Sequence, residues 1–191
     1  MSKIWFVSDW HFCHNKPFIY KPRGFNTIEE MNETIIKNHN LLVDDDDDVY
    51  CLGDCMLMDN ETGIKCIESL KGRIHIIRGN HCTDNRIELY NNCHNVVEVL
   101  GFAHMEKING QSFYMSHYPT IVSNYEDSAK PLNRRVINLF GHTHSVEKFY
   151  NKLDPCMYNV ALDAHNCYPV EITTIMQDIK NKIKENSEVR F

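Results

Sequence analysis

The sequence predicts an α/β sandwich built around packed sheets. Short apolar strand-like runs alternate with amphipathic helical stretches in the first half of the chain, and the second half turns to hairpins. Five of the strand-like runs also finish on Asp, Asn or His, often beside a glycine.

Lys3–Ser8 reads as the first strand, with Ile4 and Phe6 supplying β propensity. A helix over about Ile28–Leu42 follows, opened by Thr27 and Glu30 in capping-box spacing. Val49–Leu52 is a short strand ending at Gly53-Asp54, and a second helix near Asn60–Leu70 stops at Gly72. Arg73–Ile77 is the next strand, ending in Arg78-Gly79-Asn80-His81. Val96–Leu100 and His104–Ile108 read as paired strands, and Asn109-Gly110 signals a hairpin into Ser112–Ser116. Val136–Phe140, Tyr158–Leu162 and Val170–Thr174 are later strands, and Ile175–Asn186 is a closing helix.

The 191 residues suffice to bury a real core, and no repeat or Pro/Gly-rich linker divides them, which predicts one domain over 1–191. No apolar run reaches transmembrane length, and the opening MSKIWFVSDW is too short and polar for a signal peptide. A cytoplasmic protein without a membrane partner is expected. The eight cysteines form no CxxC pair or regular framework, so they read as buried free thiols. Net charge is −6, and much of it lies in the run Asp44–Asp48. Consecutive aspartates diverge and lack calcium-loop spacing, so the run reads as a solvated acidic turn. No basic stripe is present for gripping a nucleic-acid backbone.

The chemistry gathers where strands end. The first ends in Ser8-Asp9-Trp10-His11, the second in Gly53-Asp54 and the third in Gly79-Asn80-His81. Ser112–Ser116 ends in His117-Tyr118-Pro119, and Val136–Phe140 in Gly141-His142-Thr143-His144. Ligands of open α/β sheets bind beyond the carboxyl ends of strands. Carboxylate oxygen with imidazole nitrogen suits hard or borderline divalent metals. In an extended segment, side chains at i and i+2 point the same way, so His142 and His144 are placed to reach a common centre.

In this order, D-x-H, G-D, G-N-H, H and G-H-x-H, the sequence resembles the calcineurin-like metallophosphoesterases. It is similar to a small bacterial and phage-type branch carrying DxHFxH, VYxLGD, SHYP and GHTHS. The resemblance implies a four-layer αββα sandwich of two mixed sheets flanked by helices. It implies two divalent metal ions, with Asp54 as the bridging carboxylate. Asp9, His11 and His144 would complete one shell, and Asn80, His117 and His142 the other. Mn, Fe, Zn, Ni and Co all suit such ligands.

The activity implied is hydrolysis of phosphoric esters by a metal-activated water, with His81 as general acid. Small phosphodiesters or nucleotides are the expected substrates. A phosphomonoesterase or a nuclease on the same site is the alternative, and a scaffold without turnover is a rival that the complete ligand set disfavours. Neither nucleic acid nor an obligate protein partner is favoured. The pattern departs from many relatives at Cys82, where an acid follows G-N-H, and at Leu57, which replaces the second acid of G-D-x-x-D, with Asp59 two residues beyond.

Outside the ligand set, His14 and Arg23 follow the first strand as a cationic pair suited to a substrate phosphate, Arg23 through a bidentate fork. The alternative is a surface loop with Arg23 in an ordinary ion pair. Tyr118 is a candidate substrate contact or a packing residue. Arg78 reads as the partner of an internal carboxylate. Asp163 is either the acceptor of a ligand histidine's free ring N–H or a turn former.

Overall fold

The computed structural model describes residues 2–122 and 129–188. The first sheet has the order β4-β3-β2-β1-β9, from β1 (Ile4–Val7), β2 (Asp48–Cys51), β3 (Arg73–Ile76), β4 (Val96–Val99) and β9 (Val170–Glu171). Its first four strands run parallel, and β9 pairs antiparallel to β1. The second sheet has the order β5-β6-β7-β8, from β5 (Ala103–Ile108), β6 (Gln111–Ser116), β7 (Val136–Phe140) and β8 (Met157–Asn159). Its β5/β6 hairpin is antiparallel and β6, β7 and β8 run parallel. Two mixed sheets with flanking helices thus form the expected α/β sandwich.

Alternation along β1 explains how the layers are held. Trp5 and Val7 face one core with Val49, Cys51, Ile74 and Ile76, into which α2 (Ile28–Leu42) inserts Met31 and Ile35. The shorter helices α3 (Asn60–Glu68) and α4 (Asp84–Asn91) add Cys66, Ile67 and Tyr90. Phe6 points the other way, between the sheets, with Leu52, Phe113, Met115, Ile137, Leu139 and Tyr158. Phe6 is wholly buried, worth roughly 1.5–3 kcal/mol relative to exposure. Helix α5 (Ile172–Glu188) joins this second core through Ile172, Ile175 and Ile179.

Several elements differ from the sequence reading. Val96–Leu100 and His104–Ile108 do not pair with each other: β4 joins β3 in the first sheet, and β5 joins β6 in the second. The physical reason is that α4 carries the chain from β3 into a parallel neighbour, while Asn109-Gly110 closes β5 onto β6. The expected strand Val170–Thr174 stops at Glu171, because Ile172, Ile175 and Ile179 share a helical face that the core rewards more than their β propensity. Leu162, expected at a strand end, opens a 3-10 turn over Leu162–His165. Helices α1 (Pro17–Tyr20) and α4 were not anticipated; the first is a single turn started by Pro17, the second only weakly amphipathic.

The acidic run is corrected in part. Asp44, Asp45 and Asp46 are exposed, but Asp47 is buried and Asp48 pairs with Arg73 and His75. All eight cysteines are free and buried. No described helix is long and apolar enough to cross a membrane.

Candidate metal centre

The parallel register puts Val7, Cys51 and Ile76 side by side, so the first three strands deliver their following loops to one end of the sheet. The second sheet reaches the same place. Ser8 bridges Ala161, the Leu162 amide donates to Ser8 O, and Gly141 N donates to His117 O at 3.0 Å. Two strand-end loops are also zipped together: Asp9 N donates to Gly53 O at 3.1 Å and His11 N to Asp54 O at 3.0 Å.

These loops are not extended. Asp9, His11, Asp54, His142 and His144 all have φ between 49° and 67°. Such left-handed backbone costs an L-residue about 1–2 kcal/mol, although Asp and His tolerate it better than most. The expectation that the i, i+2 histidines of G-H-T-H share one face of an extended segment is therefore corrected. His142 turns toward Asp54 and His117, and His144 turns toward Asp9 and His11. Glycine is required at two close approaches. A Cβ on Gly79 would collide with the Asp54 carboxylate, and one on Gly141 with Ser8 and the Asp9 carboxylate.

Two candidate ligand groups result. Asp9, His11 and His144 bring donor atoms within 4.8 Å of one another, and so do Asp54, His117 and His142. Asp54 Oδ2 faces both, 3.9 Å from His11 Nε2 and 3.3 Å from His117 Nε2. Asn80 Oδ1 lies 2.8 Å from His117 Nε2, so the seven residues named from sequence converge.

The donor chemistry fits cations. Asp9 Oδ1 and His11 Nε2 are buried without a hydrogen-bond partner, 3.6 Å apart. His117 Nδ1 donates to Leu52 O at 2.8 Å, which leaves its Nε2 facing Asp54, Asn80 and, at 3.2 Å, His142 Nδ1. Acceptors gathered around one ring nitrogen call for positive charge. Burial disfavours the charged ring, but Asp54 and Asp9 raise the pKa of His117 to about 9. Burial likewise works against ionised Asp9, yet His11 and His117 hold its carboxyl well below the usual range.

Support for the ligands comes from a distance. His144 Nδ1 sits 3.1 Å from Asp163 Oδ2, and the Arg23 guanidinium binds the same carboxylate, fixing the ring as outer carboxylates do for metal-ligating histidines. Asp163 lies in the 3-10 turn over Leu162–His165, and its carboxylate also meets the His144 ring. The Arg23 side chain is buried, donating also to Asp9 O and Trp10 O, so its fork is spent on the protein. His14 Nδ1 lies 3.1 Å from His11 Nδ1; burial and the neighbouring His11 and His81 push its pKa down to about 4. Its ring therefore stands neutral at pH 7, without the charge expected of a cationic pair.

His81 is 39% exposed along its side chain, with Nε2 4.0 Å from Asp54 Oδ2. Its amide donates to Asp54 Oδ1, and its carbonyl accepts from Arg86 Nη1 at 2.8 Å. Nothing in the sequence marks Arg86, an arginine on a short helix with little amphipathic pattern. Tyr118 is half-exposed, its ring 4.5 Å from that of His142. Arg78 pairs with Asp84 at 2.7 Å. Cys82 is buried in the first-sheet core, and Asp59 caps α3 through the Thr62 amide.

Two mixed sheets thus meet at one end around two groups of side chains that could each hold a metal ion, an α/β sandwich with a candidate metal centre. The family model described as the calcineurin-like phosphoesterase superfamily domain matches residues 2–159, and the chain belongs to that superfamily. An uncharacterized protein of Methanocaldococcus jannaschii is 33% identical over 190 residues, covering 94% of this chain and 93% of its own length. Among solved structures, a protein of unknown function from Aquifex aeolicus shares the fold, with a TM-score of 0.66 at 20% identity over 93% of this chain and 99% of that one. A structure described as a novel archaeal phosphodiesterase aligns over 83% of this chain and 82% of its own, with a TM-score of 0.46 and 19% identity.

Proposed function

We propose that this chain is a dinuclear metal-dependent phosphodiesterase of small substrates, acting as one cytoplasmic domain. The observation that carries the reading is the position of Asp54 Oδ2, a single carboxylate oxygen facing an imidazole of each ligand group. Asp9, His11 and His144 would hold one divalent cation, and Asn80, His117 and His142 the other, with Asp54 shared. When bound, such cations acidify water and neutralise phosphoryl oxygens. Mn, Fe, Zn, Ni and Co all match the donors.

The remaining work belongs to this chain's own side chains. His81 faces both the site and solvent, and gives its proton to the leaving oxygen. If His11 Nε2 held a cation, His11 Nδ1–H would donate to His14 Nδ1, and His14 would present Nε2–H as a neutral donor to a substrate oxygen. Diester is favoured over monoester because Arg23, Arg78 and Arg86 are all engaged within the protein and add no guanidinium for a dianion. The buried free thiols suit a reducing compartment.

The test is hydrolysis of bis-p-nitrophenyl phosphate and p-nitrophenyl phosphate by metal-stripped protein, with and without Mn²⁺, beside Asp54→Asn. Metal-restored release from the diester in excess of the monoester, lost in the variant, is the expected result. Full activity of Asp54→Asn with normal metal content would defeat the reading.

A further inference from the structure

Two large aromatic side chains stand exposed beside different residues of the candidate centre, Phe18 against His14 and Tyr118 against His117 and His142. Phe18 is 69% exposed, on the one-turn helix α1, whose next residue Ile19 is buried and anchors it. Its ring meets His14 edge-on at 5.7 Å, and His14 lies 5.1 Å from His11 and 6.1 Å from His81. Tyr118 is 48% exposed at the other end, 5.3 Å from the His117 ring and 4.5 Å from that of His142. Its backbone is pinned: the Tyr118 carbonyl accepts from Ser116 Oγ at 2.8 Å and from Thr120 Oγ1 at 3.0 Å.

Single exposed aromatics need no explanation. An anchored pair, one against His14 and its neighbour His11 and the other against His117 and His142, matches the shape of a diester, whose phosphorus carries one organic arm on each side. We infer that Phe18 and Tyr118 select phosphodiesters bearing a planar aromatic group on both arms, of which a dinucleoside monophosphate is the natural chemical form. Phe18 stands at the His81 end, so it stacks on the leaving arm, while Tyr118 stacks on the arm that stays with phosphorus. This assignment rests on the phosphodiesterase reading above. Stacking on an aromatic side chain is tolerant of base identity, so selection is for flatness rather than sequence.

The experiment compares kcat/KM of the metal-loaded wild type, Phe18→Leu and Tyr118→Leu on bis-p-nitrophenyl phosphate and on methyl p-nitrophenyl phosphate, which lacks the second aryl arm. Phe18→Leu is expected to lower both by roughly ten-fold, leaving their ratio unchanged. Tyr118→Leu is expected to lower the ratio of bis-aryl to methyl-aryl turnover by a similar factor. Calorimetry with diphenyl phosphate, a slow diester, should show weaker binding to both variants at unchanged metal content. Unaltered ratios and unaltered binding in both variants, with the wild type still cleaving diesters, would overturn the inference and leave the phosphodiesterase reading intact. Absence of diester turnover by the metal-loaded wild type would remove both.

Discussion

Arg23 and Asp163, 140 residues apart in sequence, meet in a bidentate pair, with Nε–Oδ1 at 3.1 Å and Nη2–Oδ2 at 2.7 Å. The pair is buried, with 1% of the Arg23 side chain and 8% of the Asp163 side chain exposed. It ties the loop after β1 to the turn after β8, and Asp163 then holds His144. Burial alone would raise the Asp163 pKa, but His144 and Arg23 hold it at about 2, so the carboxylate is charged at any working pH.

Asp163→Asn therefore acts on two levels. It strands a buried guanidinium, for which a loss of about 3–5 kcal/mol in stability is expected. It also frees the His144 ring, and loss of an outer carboxylate weakens metal affinity by roughly 10–100-fold. Urea unfolding reads the first, and metal titration with elemental analysis reads the second. One cation per chain should weaken while the Asp54/His117/His142 group keeps its own. Equal weakening of both would show that the pair supports the whole centre rather than His144.

His81 acts in a different way, since it contacts no metal in the proposed scheme. His81→Ala should keep both cations and lose turnover according to how much the leaving oxygen needs a proton. For a nucleoside leaving group the loss is expected at about 10²–10⁴-fold in kcat. For p-nitrophenolate, which departs without a proton, it should be far smaller. A loss of the same size with both leaving groups would assign His81 to substrate binding instead.

The contrast between these residues shows what a sequence can carry. Asp9, His11, Asp54, Asn80, His117, His142 and His144 were legible because each sits where a strand ends, a position read from local patterning. The backbone that aims them was not. The left-handed φ values of Asp9, His142 and His144 depend on contacts between loops far apart in the chain, such as His142 N to Asp9 Oδ2 at 2.9 Å. Arg23 looked like a phosphate ligand because its partner lies across the fold. The separation of β4 and β5 into different sheets was hidden for a similar reason, because two neighbouring strand patterns do not say which sheet each extends.

Asp47 gives a prediction independent of the centre. Among five consecutive aspartates it alone is buried, because its carboxylate accepts from Lys3 N at 2.7 Å, Trp5 Nε1 at 2.9 Å and Asp44 N at 3.1 Å. Burial works to raise its pKa, but these donors outweigh it and hold the carboxyl below the ordinary carboxylate value. The folded pKa thus lies below the unfolded value of about 3.9, so the stabilisation is complete above that pH and is lost as pH falls through the folded pKa. Asp47→Asn keeps the volume but turns an amide N–H toward a backbone or indole donor, costing about 1–3 kcal/mol at neutral pH. Urea unfolding of both proteins across a pH series is the check. The stability gap should hold steady from pH 7 to about 5 and narrow below about 4 as the wild type loses its charged acceptor. A gap that stays constant into that acid range would mean the Asp47 carboxylate is no more acidic in the folded chain than in the unfolded one.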